Sequence, residues 1–76
     1  MKKLGRVLSI SNDNKLIVKT EQVVKLGMEV YDEKRRHVGT IIDFFGPAYG
    51  PYVVVSAEKE SNFLLGKDLF VKGKKD

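Results

Sequence analysis

No segment of this chain repeats apolar residues at a helical spacing over ten residues. Short runs of β-branched and aromatic residues recur instead, punctuated by Gly, Asn, Asp and Pro. That rhythm codes for short strands joined by tight connections. In 76 residues it leaves room for one core, because so small a domain buries only about 60% of the surface its unfolded chain exposes. The expectation is a single all-β domain over residues 1–76, with short basic tails at 1–3 and 72–76.

Six strands can be read. Leu4–Ile10 is the first, with Leu4, Arg6, Leu8 and Ile10 on one side and Gly5, Val7 and Ser9 on the other. The turn formers Ser11-Asn12-Asp13-Asn14 lead into Lys15–Thr20, and so short a connection makes the pair antiparallel. Glu21–Lys25 reads as a loop, Glu29–Tyr31 as a short strand and Asp32–Arg36 as a solvated hairpin tip. His37–Phe45 is the longest strand, Tyr52–Ser56 the fifth and Leu69–Val71 the sixth. Phe63–Asp68 is extended chain or one helical turn. Six short strands predict a small closed or nearly closed barrel, since closure removes unpaired edges. Side chains fill so narrow an interior and leave no ligand cavity of several hundred Å³.

The side-chain inventory excludes most chemistry. There is no cysteine, so no disulfide and no thiolate metal site. His37 is the single imidazole, which rules out metal sites needing two and makes any Ser–His–acid triad depend on it. There it reads as an exposed strand-start residue. Nothing places Asp32 and Asp43 together as a carboxylate pair, and the chain holds no Gly-rich phosphate cradle and no GxSxG elbow. No enzyme activity, cofactor or metal is expected. No apolar run approaches the roughly 18 residues of a membrane span, and Met1-Lys2-Lys3-Leu4-Gly5-Arg6 is not a signal-peptide start. A cytoplasmic protein without membrane contact is the expectation.

Net charge is +4, from 14 basic and 10 acidic residues. Setting aside Lys2, Lys3, Lys72, Lys74, Lys75 and Asp76 leaves nine of each sign, so the excess lies at the ends. Lys2, Lys3, Lys72, Lys74 and Lys75 are candidates for weak RNA contact through counterion release; solubility alone explains them equally well. Phe44, Phe45, Tyr49 and Tyr52 could stack bases, but no basic residue interrupts Gly39–Ala57, which disfavours RNA on that face.

The fourth strand is apolar on both faces. Val38, Thr40, Ile42 and Phe44 alternate with Gly39, Ile41, Asp43 and Phe45. A half-buried strand needs one apolar face, so the second is covered by a partner or by Phe63-Leu64-Leu65 folding across it as a lid. Beside it, Gly46-Pro47-Ala48-Tyr49-Gly50-Pro51 forms a stiff connection carrying aromatic anchors, which suits docking and equally suits a rigid turn.

Leu4-Gly5-Arg6-Val7, Leu16-Ile17-Val18, Gly27-Met28-Glu29-Val30-Tyr31-Asp32 and Val38–Pro47 followed by Pro51-Tyr52 resemble the core of the Gar subunit of H/ACA ribonucleoproteins. The specific part is VG(x)3D(x)FGP…PY, the likeness covers about residues 4–56, and the glycine/arginine-rich tails of eukaryotic members are missing, as in the archaeal type. The resemblance implies a six-stranded barrel related to the translation-factor and reductase barrels. It implies a non-catalytic subunit that docks on the dyskerin-like pseudouridine synthase, alongside the other H/ACA core proteins. Guide RNA would be contacted mostly indirectly. The subunit would support substrate-RNA turnover in rRNA modification and ribosome biogenesis, in the cytoplasm, or in the nucleolus of a eukaryote. Carried onto this chain, it points to Val38, Gly39, Ile41, Phe45, Gly46, Pro47, Pro51 and Tyr52 as partner-binding residues, with Gly39 letting a partner backbone approach. Without its partner, the chain is expected to form a symmetric homodimer through the same face. Two other readings stay open: a PRC-type barrel adaptor in ribosome maturation, and a barrel that binds RNA directly.

Overall fold

Alternation is cleanest at Leu16, Val18 and Thr20 and at Val53, Val55 and Ala57, and all six side chains point inward. Leu16 pairs with Val55 and Val18 with Val53, so the two runs form one apolar sheet face. A computed structural model describes residues 1–20 and 24–72. Its strands are β1 (Lys2–Ile10), β2 (Lys15–Thr20), β3 (Glu29–Tyr31), β4 (His37–Phe45), β5 (Tyr52–Ala57) and β6 (Asp68–Val71). They close into a six-stranded barrel in the order β1-β2-β5-β4-β3-β6, with every neighbouring pair antiparallel. Leu4, Val7, Val30, Val38, Ile41, Leu64, Leu69 and Val71 complete the interior, each worth roughly 1.5–3 kcal/mol of burial. All six expected strands form, and each differs from its expected span by two residues or fewer at one end.

Strict alternation fails in β1. Leu4 and Val7 both enter the core although they are three apart, and Leu8 is exposed. The register shifts between Lys3 and Gly5 against β6, and again between Val7 and Ser9 against β2. Each irregularity inserts a residue and turns the following side chains over. Nor is the N-terminus a free basic tail: Lys2 and Lys3 belong to β1 and pair with Val71 and Phe70. Lys72 is exposed, and Lys74 and Lys75 lie outside the described residues, as do residues 21–23 of the expected Glu21–Lys25 loop.

The Asp32–Arg36 tip is not wholly solvated, because Asp32 is buried and organises it. Asp32 Oδ1 accepts the backbone N–H groups of Lys34 and Arg36, both at 2.9 Å, and Oδ2 accepts Arg36 Nε at 2.9 Å. Burial alone would raise this carboxyl's pKa; the donors of Arg36 and Lys34 outweigh it and hold it below the ordinary value.

The segment before β6 contains a 3-10 turn, Asn62–Leu64, which drives Leu64 into the core and leaves Phe63 and Leu65 exposed. It is pinned to β1, where Val7 donates to the Lys67 carbonyl at 2.9 Å and Gly66 donates to the Val7 carbonyl at 3.0 Å. It therefore fills the interior, and Ile42, Phe44 and Phe45 in the second half of β4 all stay exposed.

Candidate functional site

β4 changes character at its midpoint. In its first half Val38 and Ile41 face inward and are 7% and 1% exposed. Gly39 lies against β5, where a Cβ would meet the Ser56 carbonyl oxygen at 2.0 Å. The close approach that requires glycine is thus made by the chain's own backbone. Of the residues expected to touch a partner, Val38 and Ile41 are buried in the barrel and Gly39 lies against the backbone of β5.

The β4–β5 ladder then skips a residue: Ile41 pairs with Val55 and Asp43 with Val54, so Ile42 bulges. Past the bulge Ile42, Asp43, Phe44 and Phe45 are all exposed. Neither phenylalanine is a core residue. Asp43 Oδ1 accepts the Phe44 backbone N–H at 2.8 Å and steadies this doubled aromatic step.

Phe45, 52% exposed, pairs with Tyr52 and stacks on it, with centroids 5.4 Å apart and planes inclined by 22°. Gly46 takes φ +96 and turns the chain away, in a region side chains rarely adopt. Pro47 accepts the Gly50 N–H at 3.2 Å, closing a tight turn that holds Tyr49 out at 88% exposure. Pro51 is half-buried and its carbonyl accepts the Thr20 N–H at 3.0 Å, tying the loop to the end of β2. The expected residues Phe45, Gly46, Pro47, Pro51 and Tyr52 therefore converge at one end of the barrel.

The partner-binding residues that the resemblance implies omit Ile42, Phe44 and Lys19. The apolar doublets Ile41-Ile42 and Phe44-Phe45 were the available signal, because a regular strand cannot bury both members. Lys19 had none: it reaches Tyr52 through β2–β5 pairing, with its ammonium 5.2 Å from the ring centroid. The aromatic cluster thus has a cation beside it in space that it lacks along the chain.

His37 is not simply an exposed strand-start residue. Its Nε2 meets Glu29 Oε2 and its Nδ1 lies 3.3 Å from Glu58 Oε1. Both ring nitrogens face carboxylates, so neither is aimed at a nucleophile. Among the described residues no group of three or more His, Cys, Asp or Glu is placed to hold a metal ion, and no helix is long and apolar enough to cross a membrane.

A closed six-stranded barrel with an uncovered aromatic end defines a small binding module. A protein-family profile described as "Gar1/Naf1 RNA binding region" matches residues 1–75, and the chain belongs to that family. Membership brings an H/ACA ribonucleoprotein-related, RNA-binding role within a family of non-catalytic accessory proteins. An uncharacterized protein of Methanothermobacter thermautotrophicus, strain Delta H, is 29% identical over 62 residues, covering 82% of this chain and 67% of its own.

Proposed function

We propose that this protein is the accessory subunit of an H/ACA pseudouridylation particle that docks on the pseudouridine synthase through the aromatic end of β4. The observation that carries the reading is that Ile42, Phe44 and Phe45 after the bulge in β4, and Tyr49 in the loop that follows, are all exposed. Large aromatic anchors dominate the energetics of such interfaces. The Phe45–Tyr52 stack and the Pro47–Gly50 turn hold them before binding, which reduces the ordering cost of association. The resemblance to Gar subunits implies the partner class, and the barrel supplies a rigid platform.

In this role the subunit performs no bond chemistry. It braces the synthase loop that holds and releases substrate RNA, and so supports turnover during rRNA modification in a cytoplasmic particle of the archaeal type. The test is a pull-down of the purified chain on purified H/ACA synthase without RNA, beside a Phe44→Ser/Phe45→Ser variant and a Lys3→Gln/Lys72→Gln variant. Retention of wild type and the lysine variant, with loss of the aromatic variant, is expected. Absence of wild-type retention at micromolar concentration, or equal retention of all three, overturns the reading.

A further inference from the structure

We infer that the outer wall formed by β6, β3 and the start of β4 is a second binding site, for single-stranded RNA. Tyr31 and Phe70 form its stacking platform, and Lys3, Arg35 and Lys72 are its phosphate contacts. The inference does not rest on synthase docking, because it concerns different residues on a different wall.

Register places these side chains together. Tyr31 pairs with Phe70 across β3–β6, Phe70 pairs with Lys3 across β6–β1, and Tyr31 pairs with His37 across β3–β4. Residues directly opposite in a sheet share a face. Val30, Leu69 and Val71, adjacent along the strands, point inward, so the row Lys3–Phe70–Tyr31–His37 faces outward. Tyr31 and Phe70 are both half-buried, which leaves part of each ring open. His37 meets Tyr31 edge-on, with centroids 5.5 Å apart and planes at 75°, and fixes the orientation of the ring. Lys3, Tyr31 and Phe70 are far apart in the sequence, and β6 brings them together by pairing with both β1 and β3.

The electrostatics suit a polyanion. Lys72 is exposed and its ammonium lies 5.5 Å from the Tyr31 centroid. Beside Phe70 a cleft of about 190 Å³ is bounded by Met1, Asp32, Glu33 and Arg35. Arg35 adopts φ 66, a left-handed conformation unusual for a residue with a Cβ, held by its N–H donating to the Asp32 carbonyl at 2.9 Å. The turn thus spends backbone strain on an arginine at the cleft. The nearby carboxylates are mostly engaged: Asp32 by Arg36, Glu29 by His37, and Asp68 by Lys3 at 3.5 Å and Arg6 at 3.9 Å. Glu33 stands at the rim. Lys3 is the exposed member of its pair with Asp68, whose Oδ1 is buried, and at 3.5 Å its ammonium is free to meet a phosphate on its solvent side.

Aromatic rings beside cations bind unpaired nucleotides, whose bases are free to stack while the backbone follows the positive charge. A duplex keeps its bases inside and gains only the charges. Family membership brings RNA binding to the chain, and this wall gives it an address that leaves the Ile42–Phe45 end open to a protein at the same time.

The test is fluorescence anisotropy of the full chain with a labelled oligouridine 12-mer and with a duplex of equal length. Single strands are expected to bind more tightly than duplex. Tyr31→Leu and Phe70→Leu should each weaken single-strand binding about tenfold, with circular dichroism confirming the fold, and Phe45→Ser should leave it unchanged. Lys72→Gln, on an exposed side chain that the fold does not need, should reduce the log–log salt slope by about 0.7. Equal affinity for duplex, an unaltered affinity in folded Tyr31→Leu and Phe70→Leu, or loss of binding in Phe45→Ser overturns the inference. If the ring variants fail to fold, the slope decides: an unchanged slope for Lys72→Gln overturns it.

Discussion

The two halves of β4 carry similar residues and do opposite things. Gly39–Ile41 pairs in register with β5, Val38 is skipped in the pairing with β3, and both Val38 and Ile41 enter the core. Ile42–Phe45 follows a bulge and presents an isoleucine and two phenylalanines to solvent. Hydrophobicity therefore does not decide which residues hold this fold; register does. One inserted residue converts an apolar run from core into surface. A surface of this kind is costly for so small a protein to display, and a docking role accounts for it.

Substitutions in the two halves should separate cleanly. The largest effects belong to the first half. Ile41→Ala should cost about 2–5 kcal/mol in a urea titration, through loss of buried volume. Gly39→Ala should cost about 3 kcal/mol or more, because its Cβ would press on the Ser56 carbonyl oxygen and backbone must move. In the second half Phe45→Ser should change stability by less than about 1 kcal/mol. Yet it should weaken synthase binding by about 2 kcal/mol or more, read by calorimetric titration. If Phe45→Ser unfolded the chain as Ile41→Ala does, the distinction between the halves would fail.

The hairpin tip preceding β4 gives an intermediate effect. Asp32→Ala strands the Lys34 and Arg36 amides and should cost about 1–3 kcal/mol at neutral pH. The folded-state pKa of Asp32 lies below the ordinary value of 3.8. Its stabilisation is therefore present above about pH 4 and lost as pH falls through the folded value. Melting profiles of wild type and Asp32→Ala should converge on acidification; a constant gap would show that the carboxylate's charge is irrelevant. Smallest of all, Tyr49→Ser should leave stability within about 0.5 kcal/mol, since the ring contributes little to the fold.

Much of this was legible in the sequence. Alternation at Leu16–Thr20 and Val53–Ala57 and the turn formers between runs specify the strands, and their number specifies closure. The motif residues Gly46-Pro47 and Pro51-Tyr52 lie at the barrel end where β4 turns outward. What periodicity could not give was the bulge at Ile42 and the shifts in β1, because a bulge depends on hydrogen bonds to the neighbouring strand and leaves no fixed residue pattern. Val38 and Ile41 are assigned to the partner by the resemblance alone, while alternation leaves open which apolar residues of β4 lie inward. Pairings between distant segments, such as Lys19 with Tyr52 and Lys3 with Phe70, follow only from barrel order.

The most direct test of the docking account is a residue-resolved one. The 15N-labelled chain would be titrated with the unlabelled catalytic domain of the H/ACA synthase, and amide signals followed by NMR. The account predicts that signals from Ile42 to Gly46, with Tyr49 and Tyr52, broaden or shift first, while Tyr31, Phe70 and Lys72 stay in place. Perturbation confined to β3 and β6, with the Ile42–Phe45 signals unmoved, would contradict it.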